Sequence, residues 1–319
     1  MTYSVCVIIP CYNDSETLNR ALISVFNQTR LADEIIVVND CSPKSRAIEK
    51  IVSLYPQVFY IKNDKNLGPS SSRNIGVKHS NSDLISFLDA DDELHPQKIE
   101  VQLRVYRPNY AVTCAFARKN NLVIRNFNKP LKIINYESKK KLLIRNTLNG
   151  AGLLISRNLL LLVGGYDNKL RSSEDWDLWL RLIDSGVKIV RIKLPLYLYH
   201  YNPNSLSNNY CNISYYETKC IEKHTADVNY SSLFRQFLWF SVILKQIYRS
   251  TILMKNIDTN SDYKIKNKKL DTLISDNIGV KISPKFLKLI LNALFTIRGF
   301  ESSRYLLRFM KIIFIKIFK

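Results

Sequence analysis

The chain has 319 residues, 46% of them hydrophobic, enough to bury one substantial domain and a smaller one. Its 47 lysines and arginines against 27 acids leave a formal charge of +20. Yet it holds no zinc-finger spacing, RNP-type aromatic motif or basic-region heptad, so nucleic acid is not an expected partner. No apolar run reaches the roughly 18 residues that span a bilayer. The six cysteines include no C-x-x-C pair and read as reduced thiols. The first residues read as a strand rather than a leader peptide. The expected location is therefore cytoplasmic, either free or peripheral on the inner face of the cell membrane.

In chain order, Ser4–Ile9 is an apolar strand that stops at Pro10. Asp14 or Ser15 is placed to cap a helix whose apolar stripe is Leu18, Leu22, Val25 and Phe26. Glu34–Val38 is a second strand, ending in Asn39-Asp40-Cys41-Ser42. Val58–Lys62 is a third, followed by a turn at Asn66-Leu67-Gly68-Pro69 and a helix from serines 70–72 towards Lys78. Asp83–Leu88 is the fourth, and it runs straight into Asp89, Asp91, Asp92 and Glu93. Strands alternating with helices predict parallel βαβ units with helices on both faces. Such sheets bind ligands outside the carboxyl ends of their strands. Asp89 and Asp91, two apart at such an end, offer oxygens to one hard divalent cation, Mg²⁺ or Mn²⁺. The alternative is an acidic turn in which Asp92 and Glu93 complement the positive end of the next helix.

Beyond this point the pattern is less regular. Ala111–Ala117 and Leu122–Arg125 read as a hairpin, and Glu137–Arg145 as a short helix. Asn149-Gly150-Ala151-Gly152 leads into a strand at Leu153–Ile155. Glu174–Ser185 reads as a helix stopped by Gly186. Its buried stripe of Trp176, Trp179, Leu180 and Ile183 leaves Asp175 near the helix start, at the edge of a cleft. After about residue 205 the chain turns helical, basic and rich in Tyr and Phe, with a polar stretch near 256–269. The expected division is thus 1–205 and 206–319. Residues 210–319 hold 19 Lys and Arg against 8 acids. At ~100° per residue, Arg304, Arg308, Lys311, Lys316 and Lys319 share one sector of a helix. Leu306, Leu307, Ile313, Phe314 and Ile317 fall largely elsewhere. This reads either as an interfacial helix on an anionic membrane surface or as a helix packed on protein.

Five sequences recur in one order: Pro10-Cys11-Tyr12-Asn13, Asn39-Asp40-Cys41-Ser42, Asn66-Leu67-Gly68 with Arg73-Asn74-Ile75-Gly76, Asp89-Ala90-Asp91-Asp92, and Glu174-Asp175-Trp176-Asp177. Together they resemble the family 2 glycosyltransferases of the GT-A fold over roughly residues 3–205. The resemblance implies an α/β fold: a GT-A type nucleotide-sugar-binding domain with a mostly parallel central sheet flanked by helices, plus a C-terminal helical region. It implies inverting, metal-dependent transfer of a hexosyl or N-acetylhexosaminyl group from a nucleotide-sugar donor, UDP foremost. The acceptor would be a hydroxyl of a surface polysaccharide, lipopolysaccharide or other glycan, lipid-linked glycans included, and Mn²⁺ or Mg²⁺ would be the cofactor.

The same resemblance distributes roles. Pro10, Tyr12 and Asn13 would form a nucleoside cradle, and Asp40 would contact the base. Asn66 and Gly68 would line the donor site, and Arg73 would meet either the diphosphate or the acids at 89–91. Asp89, Ala90 and Asp91 match the DxD segment, one acid on the ribose and Asp91 on the metal. His200 would complete the metal sphere or touch phosphate. Asp175 matches the general base, with Glu174 as second choice or acceptor contact. Two positions depart from the pattern: Asn39 stands for a frequent Asp, and Cys41 for the usual Gly. They keep a second reading open, a non-catalytic membrane-associated scaffold of a glycan assembly complex that retains the fold.

Overall fold

The computed structural model describes residues 3–118, 132–136, 138–202 and 210–226, with 230, 234, 238 and 242 beyond them. The expected strand at 122–125, the polar stretch at 256–269 and the basic helix at 304–319 lie outside these residues.

Strand β1 (Val5–Cys11) shows how the sheet is built. Successive side chains of a strand point to opposite faces, and here both faces are buried. Val5, Val7, Ile9 and Cys11 enter one apolar cluster, Cys6 and Ile8 another. Burial on both sides produces an unbroken apolar run rather than an alternating one. β2 (Glu34–Asn39) and β4 (Leu84–Phe87) flank β1 in parallel, and β3 (Val58–Lys62) adds beyond β2, also in parallel. The crossovers are α1 (Leu18–Phe26), α2 (Ser45–Val52) and α3 (Pro69–His79). α1 and α2 send Leu18, Leu22, Val25 and Ile48 into the first cluster, and α3 sends Val77 into the second. α3 lies close on β1: a Cβ on Gly76 would stand 2.5 Å from Ile8 Cγ2.

The rest of the sheet is mixed. β8 (Leu154–Ser156) pairs antiparallel with β4, and β6 (Tyr110–Arg118) antiparallel with β8. β9 (Lys188–Tyr199) runs parallel to β6. β5 (Glu93–Leu94) and β7 (Ile133–Tyr136) each pair antiparallel with β9. The order is β3-β2-β1-β4-β8-β6-β9-β5, with β7 also on β9. The expected hairpin partner of β6 lies outside the described residues; among them, β6 pairs with β8 at Ala111 and Val112 and with β9 along its length. The register of β6 on β9 slips around Ala115 and Pro195, a bulge that tolerates a residue with no N–H to donate.

Five further helices among the described residues join the two outer layers. α4 (Lys98–Val105) packs Ile99 and Val101 on the first face. α5 (Lys139–Ile144), α6 (Arg157–Leu162) and α7 (Glu174–Asp184) cover the second. α7 is buried nearly all round, through Trp176, Asp177, Leu178, Trp179, Leu180 and Leu182, and Trp176 Nε1 donates to the Leu142 carbonyl at 2.8 Å. Gly186 follows it at φ 75°, the left-handed value a helix-ending glycine supplies. α8 (Tyr210–Thr225) adds Cys220 and Ile221 to the same face. No helix among the described residues is long and apolar enough to cross a membrane.

Candidate active site

The carboxyl ends of β1, β2 and β3 are knitted into one floor. Asn13 sits at φ 64° and donates its N–H to Ser42 Oγ at 3.1 Å. Asn39 is fully buried: its Nδ2 donates to Ser45 Oγ and Tyr60 Oη, and its Oδ1 accepts from Ser42 N. Asp40 is buried too. Its Oδ1 accepts from Asn63 Nδ2 (2.8 Å) and Leu67 N (2.9 Å), and its Oδ2 from Gly68 N (2.7 Å). The Asp40 carboxylate thus anchors the loop that opens α3. That loop turns at Gly68 with φ 87°, open to glycine and strained for other residues. Pro10 is half-buried in β1, whereas Tyr12 and Asn66 are exposed beside this floor.

The four acids after β4 are sorted into different roles. Asp89 Oδ1 accepts from Arg73 Nη2 at 2.8 Å, and Asp91 Oδ2 from Asn202 Nδ2 at 3.2 Å. Arg20 donates to the Asp91 carbonyl. Ala90 between them is buried. Asp92 turns inward, bonded to Tyr197 Oη and His200 N, each at 2.8 Å. Glu93 Oε1 meets His200 Nε2 at 2.6 Å. His200 therefore stands against the acid turn through Glu93 and its own backbone, and the side chain that reaches Asp91 from this segment is Asn202.

Burial raises the Asp91 carboxyl above its ordinary pKa, and the neighbouring Asp89 charge adds to the shift against the Asn202 hydrogen bond. Burial and the Asp89 charge likewise push Asp92 up to about 8. A further acid joins them. Asp14, expected as a helix cap, does not bond the α1 amides with its side chain: the helix starts at Leu18 behind Thr17. Its Oδ2 instead accepts from Tyr12 N at 3.2 Å, and burial together with Asp91 and Asp89 raises it to about 6. Sequence reasoning missed Asp14, Asn202 and Tyr197. For Asp14 the signal was present, an acid directly after a motif at a strand end.

The second pair of acids arrives on α7. Arg73, on α3, bridges the two sets: its Nη1 donates to Glu174 Oε1 at 3.1 Å while its Nη2 holds Asp89. Its guanidinium also lies 5.3 Å from the centre of the Tyr166 ring. Asp175, next to Glu174, accepts from Trp176 N at 2.7 Å and from Asn146 Nδ2 at 3.3 Å. Burial and the Glu174 charge raise its carboxyl to about 7. The loop before β8 closes over it, since a Cβ on Gly150 would stand 2.5 Å from Asp175 Cβ. Asn74 serves the fold: it clamps Tyr166 through N–H and carbonyl, at 2.8 Å each.

A separate group, Asp177, Cys220 and His224, is the one set of three acid, His or Cys side chains among the described residues close enough to share an ion. Its carboxylate is already saturated by Arg181, Lys223 and His224. Burial works to raise Asp177, but these donors outweigh it and hold the acid well below the usual carboxylate range. The group is an ion-pair clamp between α7 and α8.

A doubly covered sheet with acids gathered at the carboxyl end of its fourth strand is the GT-A architecture of glycosyltransferases. Its fold matches that of *S. aureus* TarS residues 1–349, at a TM-score of 0.60 and 14% identity, over 86% of this chain and 81% of that one. It equally matches the mannosyltransferase PcManGT from *Pyrobaculum calidifontis*, solved with GDP-Man and Mn²⁺, at 0.60 and 13%, over 87% and 82%. The chain belongs to glycosyl transferase family 2, whose model matches residues 6–166. An uncharacterized glycosyltransferase of *Haemophilus influenzae* is 33% identical over 56% of this chain and 61% of its own length. The chondroitin synthase of *Escherichia coli* is 27% identical over 57% and 27%. The chain thus spans about three fifths of the *Haemophilus* relative.

Proposed function

We propose that the chain is a metal-dependent inverting glycosyltransferase that moves a hexosyl or N-acetylhexosaminyl group from a nucleotide donor, UDP foremost, to a glycan hydroxyl. The observation that carries this reading is the Arg73 bridge, which ties Asp89 to Glu174 at the start of α7. TarS 1–349 has been solved with UDP and with UDP-GlcNAc, which supports a uridine donor. The residues present fit a divalent cation: Asp89 and Asp91 share one turn, and burial, with the charge of neighbouring acids added, raises Asp91 and nearby Asp14 above their ordinary range. Two carboxylates without a third protein ligand suit Mg²⁺ or Mn²⁺, which take donor phosphates as remaining ligands. When bound, the ion would neutralise charge developing on the leaving diphosphate.

Asp91 is the proposed metal acid and Asp89 the ribose acid, with His200 holding their turn from beside it. Pro10, Tyr12, Asn13, Asp40, Asn66, Gly68 and Arg73 form the donor floor. Asp175, raised to about 7, is matched to take the acceptor proton near neutral pH, and Glu174 keeps Arg73 in place beside it. The scaffold reading loses ground because Asn39 has a structural task. An Asp there could not donate to Ser45 and Tyr60. The basic residues 210–319 support an acceptor presented at an anionic membrane. The test is hydrolysis and transfer with a panel of UDP- and GDP-sugars, with Mn²⁺, with Mg²⁺ and with chelator. Turnover that needs the ion and falls in Asp91→Ala is expected. Turnover in chelator, or equal activity of Asp91→Ala, overturns the metal role.

A further inference from the structure

Of the four acids in the five residues 89–93, Asp92 is the one the structure turns fully inward. Asp92 is 1% exposed, and each of its oxygens is occupied by a neutral donor, Tyr197 Oη–H on Oδ2 and His200 N–H on Oδ1. Tyr197 is equally buried, and its hydroxyl has a second duty: it accepts the Asp89 N–H at 3.2 Å. A phenolic hydroxyl has one proton to give and lone pairs to receive with, and both capacities are used. The chain of bonds therefore runs from His200 N through Asp92 and Tyr197 to the backbone of Asp89. It is closed from the other side by Asp92 N donating to the Asp89 carbonyl at 3.0 Å. β5 then fastens the turn to β9 by pairing Glu93 with Leu198 and Leu94 with Tyr197.

We propose that Asp92 and Tyr197 form a positioning pair that holds the Asp89–Asp91 turn in the shape a divalent cation requires. The inference rests on the metal-dependent reading above and adds to it the residues that prepare the site. A buried carboxylate with no cationic partner is costly unless its hydrogen bonds are complete, and a phenylalanine would fill the place of Tyr197 without one. Both polar groups are explained by what they jointly fix, the backbone direction at Asp89. Outer partners of metal ligands commonly act in this way, and their loss costs roughly 10–100-fold in metal affinity.

The experiment measures Mn²⁺ binding to the full chain by electron paramagnetic resonance of the free ion, with UDP and separately with GDP. It compares the parent with Asp92→Asn, Tyr197→Phe and the double variant. The expected result is Mn²⁺ affinity weakened about tenfold or more in each single variant, with metal-free nucleotide affinity unchanged. The double variant is expected to be no weaker than the worse single one, because both cut the same chain of bonds. Tyr197→Phe keeps the ring volume and carries the test should Asp92→Asn fail to fold. Parent-like Mn²⁺ affinity in a folded variant, with only its melting temperature lowered, overturns the proposal. A parent that binds no Mn²⁺ with either nucleotide overturns the metal reading itself, which separates the two failures.

Discussion

The parallel half of the sheet and the mixed half hold their carboxylates differently. In the parallel half, Asp40 is saturated by amides of the neighbouring strand-end loop, Asn63, Leu67 and Gly68. The acids nearer the mixed half are held by contacts from distant segments: Arg73 meets Glu174 101 residues on, and Tyr197 meets Asp92 105 residues back. Burial pushes these acids upward and a neighbouring acid adds to it, Asp175 to about 7 beside Glu174 and Asp92 to about 8 beside Asp89. The first half is a rigid floor, and reactive groups gather where the fold leaves charge poorly compensated.

The sharpest test of that contrast lies on one helix. Asp175→Asn is expected to lower transfer by roughly 10²–10⁴-fold while donor binding is kept, and parent transfer should fall with acidity below about pH 7 as Asp175 takes up its proton. The linkage has a definite sign. The folded chain holds this proton up to about pH 7, and the unfolded chain releases it near ~3.9, so stability falls as pH rises between the two. Asp175→Asn should therefore melt no lower than the parent at pH 8, and gain on it from pH 5 to pH 8. Asp177→Asn, two residues on, should melt well below the parent, because its carboxylate serves Arg181, Lys223 and His224. Equal behaviour of the two variants in transfer rate and melting would erase the distinction.

Two glycines extend the comparison. A Cβ at Gly150 or at Gly76 would meet a neighbour at 2.5 Å, Asp175 Cβ in one case and Ile8 Cγ2 in the other. Gly150→Ala displaces the candidate base, and a misplacement near 1 Å costs on the order of 10²-fold in rate. Gly76→Ala overpacks the contact of α3 with β1, at about 1–3 kcal/mol, and should leave kcat/KM of the folded protein close to the parent's. Steady-state kinetics beside urea unfolding separates them. A reversal, with Gly76→Ala the kinetic variant, would place the sensitive geometry in the floor.

The same division decided what could be read from residues alone. β1, β2 and β4 were legible because burial on both faces writes continuous apolar runs, and the edge strand β3 through its short apolar run before a turn; Pro10, Asp40, Gly68 and Asp89 punctuate the series. β9 was not, since Arg191, Lys193 and Pro195 interrupt its run, and the bulge that accommodates Pro195 leaves no local mark. β5 is two residues long and exists only through β9. The acids at 89, 91 and 175 were legible through their motifs. Their partners Asn146 and Asn202 were not, because a contact between distant segments has no signature in the neighbourhood of either residue.

The smallest effect comes from the floor itself. Cys41 sits at φ 55°, a region that penalises a side chain and suits glycine. The motif resemblance placed a Gly there on other grounds, so the backbone supplies the reason for that preference. Cys41 is only partly buried, and its thiol reaches the Asp64 carbonyl at 3.5 Å, a weak contact. Cys41→Gly relieves the left-handed strain but gives the unfolded chain more freedom, and the two terms nearly offset. The expected gain is about 0.5 kcal/mol, within the range such exchanges produce, with donor affinity unchanged. Chemical denaturation and nucleotide titration check both parts. A clear loss of nucleotide affinity would show that the thiol itself lines the donor pocket, and would move Cys41 from the floor's architecture into its chemistry.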